Sequence, residues 1–383
     1  MAQIRLLVGT SKGGFLFTSD ASRRRWDVAG PLFEGWEVYH LYALPGDPDR
    51  LWASLWTPWY GNVIQTSGDG GRTWQVAGGE FRLEPPIAAY KSLGGATQPW
   101  QFRRVWRFAS PPSASGDGNA PTGGPGVLFA GAEDAALFRS EDGGRTWREL
   151  AALRHHPTHE AWEPGAGGLC LHTLGFDPTR PGRMLVAISA AGVFRSDDGG
   201  ATWRPANRGL YASHTADSQP EAGYCVHSLV LHPARPEVVY IQAHSGVYRS
   251  DDAGESWRNV SEGLPSPFGF PIAVHAHDPD TVYVVPMKDD ERHFPVDGAL
   301  RVWRSRDGGG TWEPLSDGLP GRHFYGNVLR GAMAVDTLYP CGLYFGTTTG
   351  EVYASADEGD SWEAVALHLP RILSVEAHTV GAQ

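Results

Sequence analysis

The chain has 383 residues, a formal charge of -11, 41% hydrophobic residues, 49 glycines, 29 prolines and 15 tryptophans. The acidic balance repels a phosphate backbone, and no apolar run reaches the roughly 18 residues of a membrane-spanning helix, so we expect neither nucleic acid nor membrane as a partner. Abundant turn formers and aromatic residues predict an all-β protein with many short strands.

The first predicted strands cover residues 4–10 and 14–18. The opening residues 1–9 lack the apolar stretch of a signal peptide and favour a strand instead. The chain has three cysteines, Cys170, Cys225 and Cys341, without Cys-x-x-Cys spacing. This pattern predicts reduced, mostly buried thiols in a cytoplasmic protein, with no disulfide framework, no zinc knuckle and no cofactor.

One motif, Ser-x-Asp-x-Gly-x-Thr/Ser-Trp, recurs along the chain. Its Asp carboxylate can accept hydrogen bonds from the backbone of its own turn, and its Gly permits positive φ. The Trp follows the turn and can pack against a neighbouring sheet. An earlier, damaged copy at residues 19–26 keeps Ser19 and Trp26 but loses the glycine and misplaces the acid. The six near-complete copies cover residues 67–74, 140–147, 196–203, 250–257, 305–312 and 355–362.

The spacing of the motif predicts the architecture. Successive motif tryptophans lie roughly 50–70 residues apart, which fits one four-stranded propeller blade with its loops. Residues 371–377 form an inner-strand pattern with no blade after it. We therefore predict a seven-bladed β-propeller in which residues 1–383 form a single domain. Blade 1 would combine residues 1–27 with residues 371–377, which would remove open sheet edges.

The loops predict which face carries function. Loops that enter the inner strands share one face with loops between second and third strands, and this face collects long insertions with many His and Trp residues. The His155-His156-x-x-His159-Glu160 segment is not a helical zinc motif, because Pro157 interrupts a helix there. Residues 111–125, rich in Gly, Ser and Pro, are predicted to be a flexible insertion on the opposite face.

Alignment of the predicted inner strands places three histidines at one level of the central channel. Such a ring suits an anion, a sugar or a divalent metal, and the alternative is that these side chains are satisfied by hydrogen bonds within the channel. We expect no bound metal. The aligned residues are His40, Trp106, His172, His227, Ala273, Gly331 and Ser374.

The motif resembles the Asp-box of BNR-repeat proteins, and the whole chain resembles uncharacterised bacterial BNR-repeat propellers of the glycosyl hydrolase-like or sialidase-like kind. Residues 164–172 and 187–196 carry the resemblance outside the motifs. The resemblance implies a propeller fold. Sialidase activity does not follow, because the segment from Phe81 to Pro85 comes after a motif, whereas sialidases carry a similar arginine-bearing segment before their first one.

Three functions remain open at this stage. The first is a binding or scaffold protein that presents the channel mouth to a small molecule, a glycan or a protein segment. The second is a glycoside hydrolase, which the resemblance implies would be of the sialidase-like or xyloglucanase-like kind, that uses acids of the same face, with Glu133 and Glu160 as candidates. The third is a metal-dependent enzyme centred on His40, His172 and His227. The candidate ligand-binding residues are His40, Trp59, Trp106, His159, Trp162, His172 and His227.

Overall fold

A computed structural model describes residues 2–86, 89–91, 95–112, 126–165, 167–212 and 217–381. These residues form thirty β-strands and two short 3-10 helices, Pro157–Ala161 and Val296–Gly298. The chain is therefore all-β, as the composition predicts. In the described ranges no helix has the length and apolar character needed to cross a bilayer.

Most of the strands form antiparallel units of four, which we number along the chain. Unit 1 has β1 (Gln3–Thr10), β2 (Gly13–Asp20), β3 (Asp27–Leu32) and β30 (Ile372–Val380); unit 2 has β4 (Glu37–Leu44), β5 (Asp47–Thr57), β6 (Gly61–Ser67) and β7 (Gln75–Val76). Unit 3 has β10 (Arg104–Ala109), β11 (Leu128–Glu133), β12 (Leu137–Ser140) and β13 (Arg148–Glu149); unit 4 has β14 (Leu171–Phe176), β15 (Met184–Ile188), β16 (Gly192–Ser196) and β17 (Arg204–Pro205).

The remaining units follow the same plan. Unit 5 has β18 (Val226–His232), β19 (Arg235–Ala243), β20 (Gly246–Ser250) and β21 (Arg258–Asn259); unit 6 has β22 (Gly269–Val274), β23 (Val282–Pro286), β24 (Val302–Ser305) and β25 (Glu313–Leu315). Unit 7 has β26 (Val328–Val335), β27 (Leu343–Thr347), β28 (Val352–Ser355) and β29 (Glu363–Ala366). A separate hairpin of β8 (Ala89–Lys91) and β9 (Thr97–Pro99) lies between units 2 and 3.

Unit 1 draws its strands from two distant parts of the chain. β30 pairs with β1 in antiparallel register, from Gln3 opposite Val380 to Thr10 opposite Ile372. A single parallel bridge, from Gly331 to Ser374, links β30 to β26 and joins units 1 and 7 into one eight-stranded sheet. The observed β30 is longer than the predicted strand at residues 371–377, because its pairing with β1 continues to Val380.

The inner strand of each unit contacts the inner strands of two other units. In order, β4 contacts β10, β10 contacts β14, β14 contacts β18, β18 contacts β22, β22 contacts β26, β26 contacts β30 and β30 contacts β4. The hydrophobic clusters lie between neighbouring units; for example, Phe17 of unit 1 and Tyr344 of unit 7 are fully buried in one cluster. The strands are apolar where they face this packing, as β-rich cores require.

The six motif copies adopt one turn geometry. In the first copy, the backbone N–H of Thr73 donates to Asp69 Oδ1 at 2.9 Å and its hydroxyl donates to Asp69 Oδ2 at 2.6 Å. The N–H of Gly71 donates to Ser67 Oγ at 2.9 Å. The same bonds recur in the last copy, with Asp357 in the place of Asp69. Both carboxylate oxygens therefore accept hydrogen bonds within their own turn. The repeated Asp residues thus have a structural role, which is to hold the turn in this conformation.

The damaged copy follows a different course. Arg23 is the fifth residue of the damaged copy, the position at which each of the six regular copies has glycine. Like those glycines, it adopts a positive φ, at 58°. Its side chain is buried and lies 3.1 Å from Asp336 of unit 7. Arg23 also donates to the carbonyl oxygen of Pro340 at 2.8 Å. The loss of glycine therefore accompanies a contact between units 1 and 7 that the regular copies cannot make.

Backbone hydrogen bonds tie the motif tryptophans to the preceding unit. The N–H of Trp257 donates to Arg208 O at 2.8 Å, and the N–H of Trp362 donates to Asp317 O at 2.9 Å. At the second of these contacts Gly318 has a φ of +84°, and a Cβ there would overlap the carbonyl oxygen of Trp362. Glycine is therefore required both by the backbone conformation and by the close approach of the next unit.

Gly318→Ala is expected to destabilise the fold by at least about 2 kcal/mol, because it adds left-handed strain and a clash with backbone. Gly321→Ala is the matched control, since a Cβ at Gly321 meets nothing within 4 Å. Its effect should stay within about 0.5 kcal/mol. Urea denaturation of both variants measures the difference, and equal midpoints would contradict this account of the contact between units 6 and 7.

Of the predicted insertion at residues 111–125, residues 113–125 lie outside the described residues. Two of the three cysteines, Cys170 and Cys341, are buried, and Cys225 is partly buried.

Candidate functional site

A cavity of about 360 Å³ lies between the inner strands, at the end where these strands begin. Residues of β4, β10, β14, β22, β26 and β30 line it. Inner strands of different units present their first residues here, so side chains that are distant in sequence meet at one place. We call this cavity the channel mouth.

Two carboxylates share one guanidinium at the channel mouth. Glu37 is the first residue of β4 and lines the cavity, and its Oε1 lies 3.5 Å from NH1 of Arg104. Glu133 ends β11, and its Oε2 lies 3.2 Å from Nε of the same Arg104. The two carboxylates therefore contact the same guanidinium. Their side chains are 27% and 15% exposed, respectively, so solvent still reaches both.

Aromatic rings surround this group. The Tyr39 ring lies under the Arg104 guanidinium, 4.6 Å from its Cζ, and the Tyr39 hydroxyl is hydrogen-bonded to that guanidinium. The indole N–H of Trp106 donates to Glu133 at 3.1 Å. Arg330 lies over both Trp106 and Phe270, at 5.6 and 5.8 Å from the ring centres. The channel mouth thus combines acidic, basic and aromatic groups in a space suited to a small ligand.

A second charged group involves Glu376 of β30. Its Oε1 accepts from His40 Nε2 at 2.9 Å and lies 2.6 Å from Arg107 NH2. Burial alone would raise the pKa of Glu376, but the opposing charge of Arg107 and the bond from His40 lower it to about 2. Glu376 is therefore a fixed anion that holds the inner strands of units 1, 2 and 3 together.

Acid is expected to weaken this contact. A carboxyl whose pKa is lowered in the fold contributes stability above its unfolded pKa, and the contribution is lost as the pH falls through the folded value. For Glu376 the loss begins near the ordinary pKa of 4.5 and is complete below about 2. Glu376→Gln should be less stable at pH 7 and show a flatter decline in denaturation midpoint between pH 5 and pH 2. Parallel pH curves for the two proteins would contradict this assignment.

The three predicted histidines each bond to the backbone of the next inner strand. His40 Nδ1 accepts from the N–H of Phe108 at 3.1 Å, and His172 Nε2 donates to Val226 O at 2.9 Å. His227 Nδ1 donates to Gly269 O at 2.6 Å. In the described ranges these three rings do not gather as one set of metal ligands. His40 and His172 line the channel mouth.

Burial keeps these imidazoles neutral. It lowers the pKa of His227 to about 3, lowers that of His172 well below its ordinary value, and lowers that of His40 as well. The hydrogen bonds agree with this, since His40 accepts at one ring nitrogen and donates at the other. A neutral imidazole is the form that makes one bond of each kind.

The other predicted ligand-binding residues lie apart from the channel mouth. Trp59 is 87% exposed, whereas Trp162 is 1% exposed in a core cluster, where its ring packs against Phe194. A ligand at the surface does not reach Trp162, because its ring is buried in this cluster, in contact with Trp100 and Phe194. His159 and Glu160 lie on the 3-10 helix Pro157–Ala161, with His159 Nδ1 bonded to the carbonyl oxygen of His156 at 2.9 Å. Glu160 is exposed to solvent.

Several residues of the channel mouth were missed by the sequence analysis. The alignment of inner strands placed Ala273 at the histidine level, but Phe270, three residues earlier in β22 and within its register irregularity between Gly269 and Ile272, lines the cavity. An available signal was the alternation of Glu37 with Tyr39 on β4, since alternate residues of a strand share one face. The other missed lining residues are Arg107, Arg330 and Arg371, and the missed residues whose side chains contact the lining are Arg104 and Glu376.

Comparisons with known proteins point to carbohydrate-active enzymes, although no protein-family model matches the chain. A xyloglucanase of Paenibacillus sp is 29% identical over 346 residues, covering 78% of this chain and 30% of the relative. An oligoxyloglucan-reducing end-specific xyloglucanase of Emericella nidulans is 25% identical over 218 residues, covering 49% of this chain and 25% of the relative. The chain therefore spans about a third or less of the length of these curated relatives.

Among solved structures, the GH74 enzyme of Niastella koreensis superposes with a TM-score of 0.57 at 16% identity, covering 97% of this chain and 51% of that chain. This likeness supports the β-propeller fold. The named relatives are consistently hydrolases, and they overturn the first sequence-based interpretation, that of a binding or scaffold protein. The glycoside hydrolase alternative agrees better with these findings.

Proposed function

We propose that the chain is a glycoside hydrolase that acts at the channel mouth on a glycan of the xyloglucan type. The observation that carries the proposal is the pair of carboxylates, Glu37 and Glu133, which flank Arg104 beside the cavity. Glycosidases place two carboxyl groups roughly 5–9.5 Å apart across the bond that they cleave. Two carboxylates in contact with one guanidinium are near enough to act together in this way.

The surroundings of the two acids suggest different roles. Glu133 receives a hydrogen bond from Trp106 and contacts the Arg104 guanidinium, so its position is fixed from two sides. Glu133 is therefore the carboxylate that attacks the sugar or activates a water molecule. Glu37 lines the cavity itself, and we assign to it the delivery of a proton to the leaving oxygen.

The lining of the channel mouth suits a neutral saccharide. The aromatic rings of Tyr39, Trp106 and Phe270 offer apolar surface, and Glu37 and Arg371 offer polar side chains. A volume of about 360 Å³ lies at the small end of the range of roughly 300–1,000 Å³ for small-molecule pockets. This volume is large enough for a few sugar units of a glycan chain.

The architecture that supports this site is a seven-bladed propeller in our proposal. Its blades would be the seven four-stranded units, and the pairing of β30 with β1 would close the ring. The six motif turns would be Asp-boxes, with the seventh replaced by the Arg23 contact. A rigid ring of this kind holds Glu37 and Glu133 in fixed relation, because they are carried by strands of adjacent units.

The experiment is a hydrolysis assay with the purified full chain. Tamarind-type xyloglucan, its oligosaccharides and unbranched cello-oligosaccharides are incubated with the protein, and released products are separated by chromatography. We expect new reducing ends from a xyloglucan substrate and less product from the unbranched controls. Absence of product from every substrate, with protein shown to be folded by circular dichroism, would contradict the proposal.

A further inference from the structure

A cysteine and two histidines converge beside the channel mouth. The ligand atoms of Cys225, His227 and His244 all lie within 4.8 Å of one another. The Cys225 sulfur is 3.4 Å from Nε2 of His227. Sulfur and imidazole nitrogen are the donors that zinc prefers in proteins.

The strand arrangement brings these residues together. Cys225 directly precedes β18 and His227 is its second residue, so the two are alternate positions of one extended segment. His244 follows β19, which pairs with β18, and its N–H donates to Cys225 O at 2.9 Å. The three side chains therefore sit on the same end of one hairpin, on backbone that is fixed by hydrogen bonds.

Neighbouring groups orient both rings. His227 Nδ1 donates to the carbonyl oxygen of Gly269 at 2.6 Å, which leaves the lone pair of Nε2 directed at Cys225. Asp290 Oδ2 lies 3.2 Å from Nε2 of His244. Metal-binding histidines commonly make such bonds through the other ring nitrogen, to a carbonyl or a carboxylate, and these bonds fix the tautomer and the ring angle.

Aromatic rings enclose the group. Phe268 packs against His227 and His244, with ring centres 5.2 and 5.0 Å apart, and Phe270 packs against His227 at 4.9 Å. Phe270 also lines the channel mouth, so the group lies directly behind its wall. An apolar enclosure of this kind strengthens electrostatic attraction between a cation and its ligands.

We propose that Cys225, His227 and His244 bind one zinc ion. The Cys225 thiolate and the Asp290 carboxylate supply negative charge that balances the divalent ion. Three protein ligands leave a fourth position for water or another small ligand, as is usual for zinc sites that are not purely structural. The site is separate from the carboxylates proposed for hydrolysis, and its test does not depend on that activity.

The test uses the full chain after treatment with a chelator and its removal. Zinc is titrated in competition with a chromogenic chelator, and Co²⁺ is added separately as a spectroscopic probe. We expect one zinc ion per chain, a near-ultraviolet thiolate-to-cobalt charge-transfer band and the visible bands of a tetrahedral cobalt site. Binding of less than one equivalent of zinc, or a cobalt spectrum without the thiolate band, would overturn the proposal.

Variants separate this site from incidental binding. Cys225→Ser should abolish the thiolate band, and both Cys225→Ser and His244→Ala should weaken zinc binding at least about tenfold. The matched controls are Cys341→Ser, a buried thiol elsewhere, and His277→Gln, an exposed imidazole elsewhere. Both controls should bind zinc as the unmodified chain does. Retention of the thiolate band in Cys225→Ser, or equal loss in the controls, would contradict the assignment.

Discussion

Glu133→Gln is expected to lower the turnover of a xyloglucan substrate by roughly 10²–10⁴-fold, with little change in stability. The substitution keeps the size of the side chain and a carbonyl oxygen that can accept from Trp106, but it removes the negative charge beside Arg104. Without that charge the residue can neither attack the sugar nor accept a proton from water. Turnover is measured from the initial rate of reducing-end release, and stability from urea denaturation.

Two further variants sharpen this result. Glu37→Gln should lower turnover by a comparable factor, because the reaction needs both acids. Glu160→Gln is the matched control: it is exposed on the 3-10 helix Pro157–Ala161 and should leave turnover unchanged. Undiminished turnover in Glu133→Gln would remove this residue from the proposed pair. Reduced turnover in Glu160→Gln would indicate that the active site lies near the 3-10 helix Pro157–Ala161 instead.

Arg23→Met is expected to destabilise the fold by about 3–5 kcal/mol, since it leaves the buried Asp336 carboxylate without its cation. Asp336 is fully buried and is also bonded to the Tyr344 hydroxyl at 2.7 Å and the N–H of Gly342 at 2.9 Å. Methionine preserves much of the apolar stem of the arginine, so the effect reports the lost charge rather than lost volume. The change in denaturation midpoint measures it.

Neighbouring substitutions test the specificity of this effect. Arg24→Met alters an exposed arginine next in the chain and should change stability by less than about 0.5 kcal/mol. The double variant Arg23→Met/Asp336→Asn should be more stable than the sum of its single variants predicts, because it buries no unpaired charge. Strict additivity of the two single effects would show that the residues do not act as a pair.

The fold was largely predictable from the sequence because the motif that indicates it is formed by neighbouring residues and recurs along the chain. Each motif turn forms bonds among residues four positions apart, such as Asp69 with Thr73, so the sequence pattern contains the whole interaction. The partner of the last strand could also be inferred, since residues 371–377 have an inner-strand pattern and the N-terminal strands lack one. The extension of β30 to Val380 was missed because it depends on pairing with β1, and the sequence around residues 378–380 does not itself indicate that pairing.

The site was harder to predict because it depends on register and on contacts between units. Phe270 rather than Ala273 lines the cavity, and the register irregularity of β22 between Gly269 and Ile272 leaves no mark in the sequence pattern of that strand. Trp162 was assigned to the surface from its loop, yet its large ring is buried beside Phe194. The damaged copy appeared to be a decayed turn, although Arg23 makes a buried ion pair across more than three hundred residues of chain.

The neutral histidines of the channel set how the channel mouth responds to its medium. Histidine is the side chain that ordinarily changes charge between about pH 5 and 8. Here burial lowers the pKa values of His40 and His172 at the cavity, and that of His227 behind it falls to about 3. A ligand that arrives at neutral pH therefore meets uncharged imidazoles at the cavity.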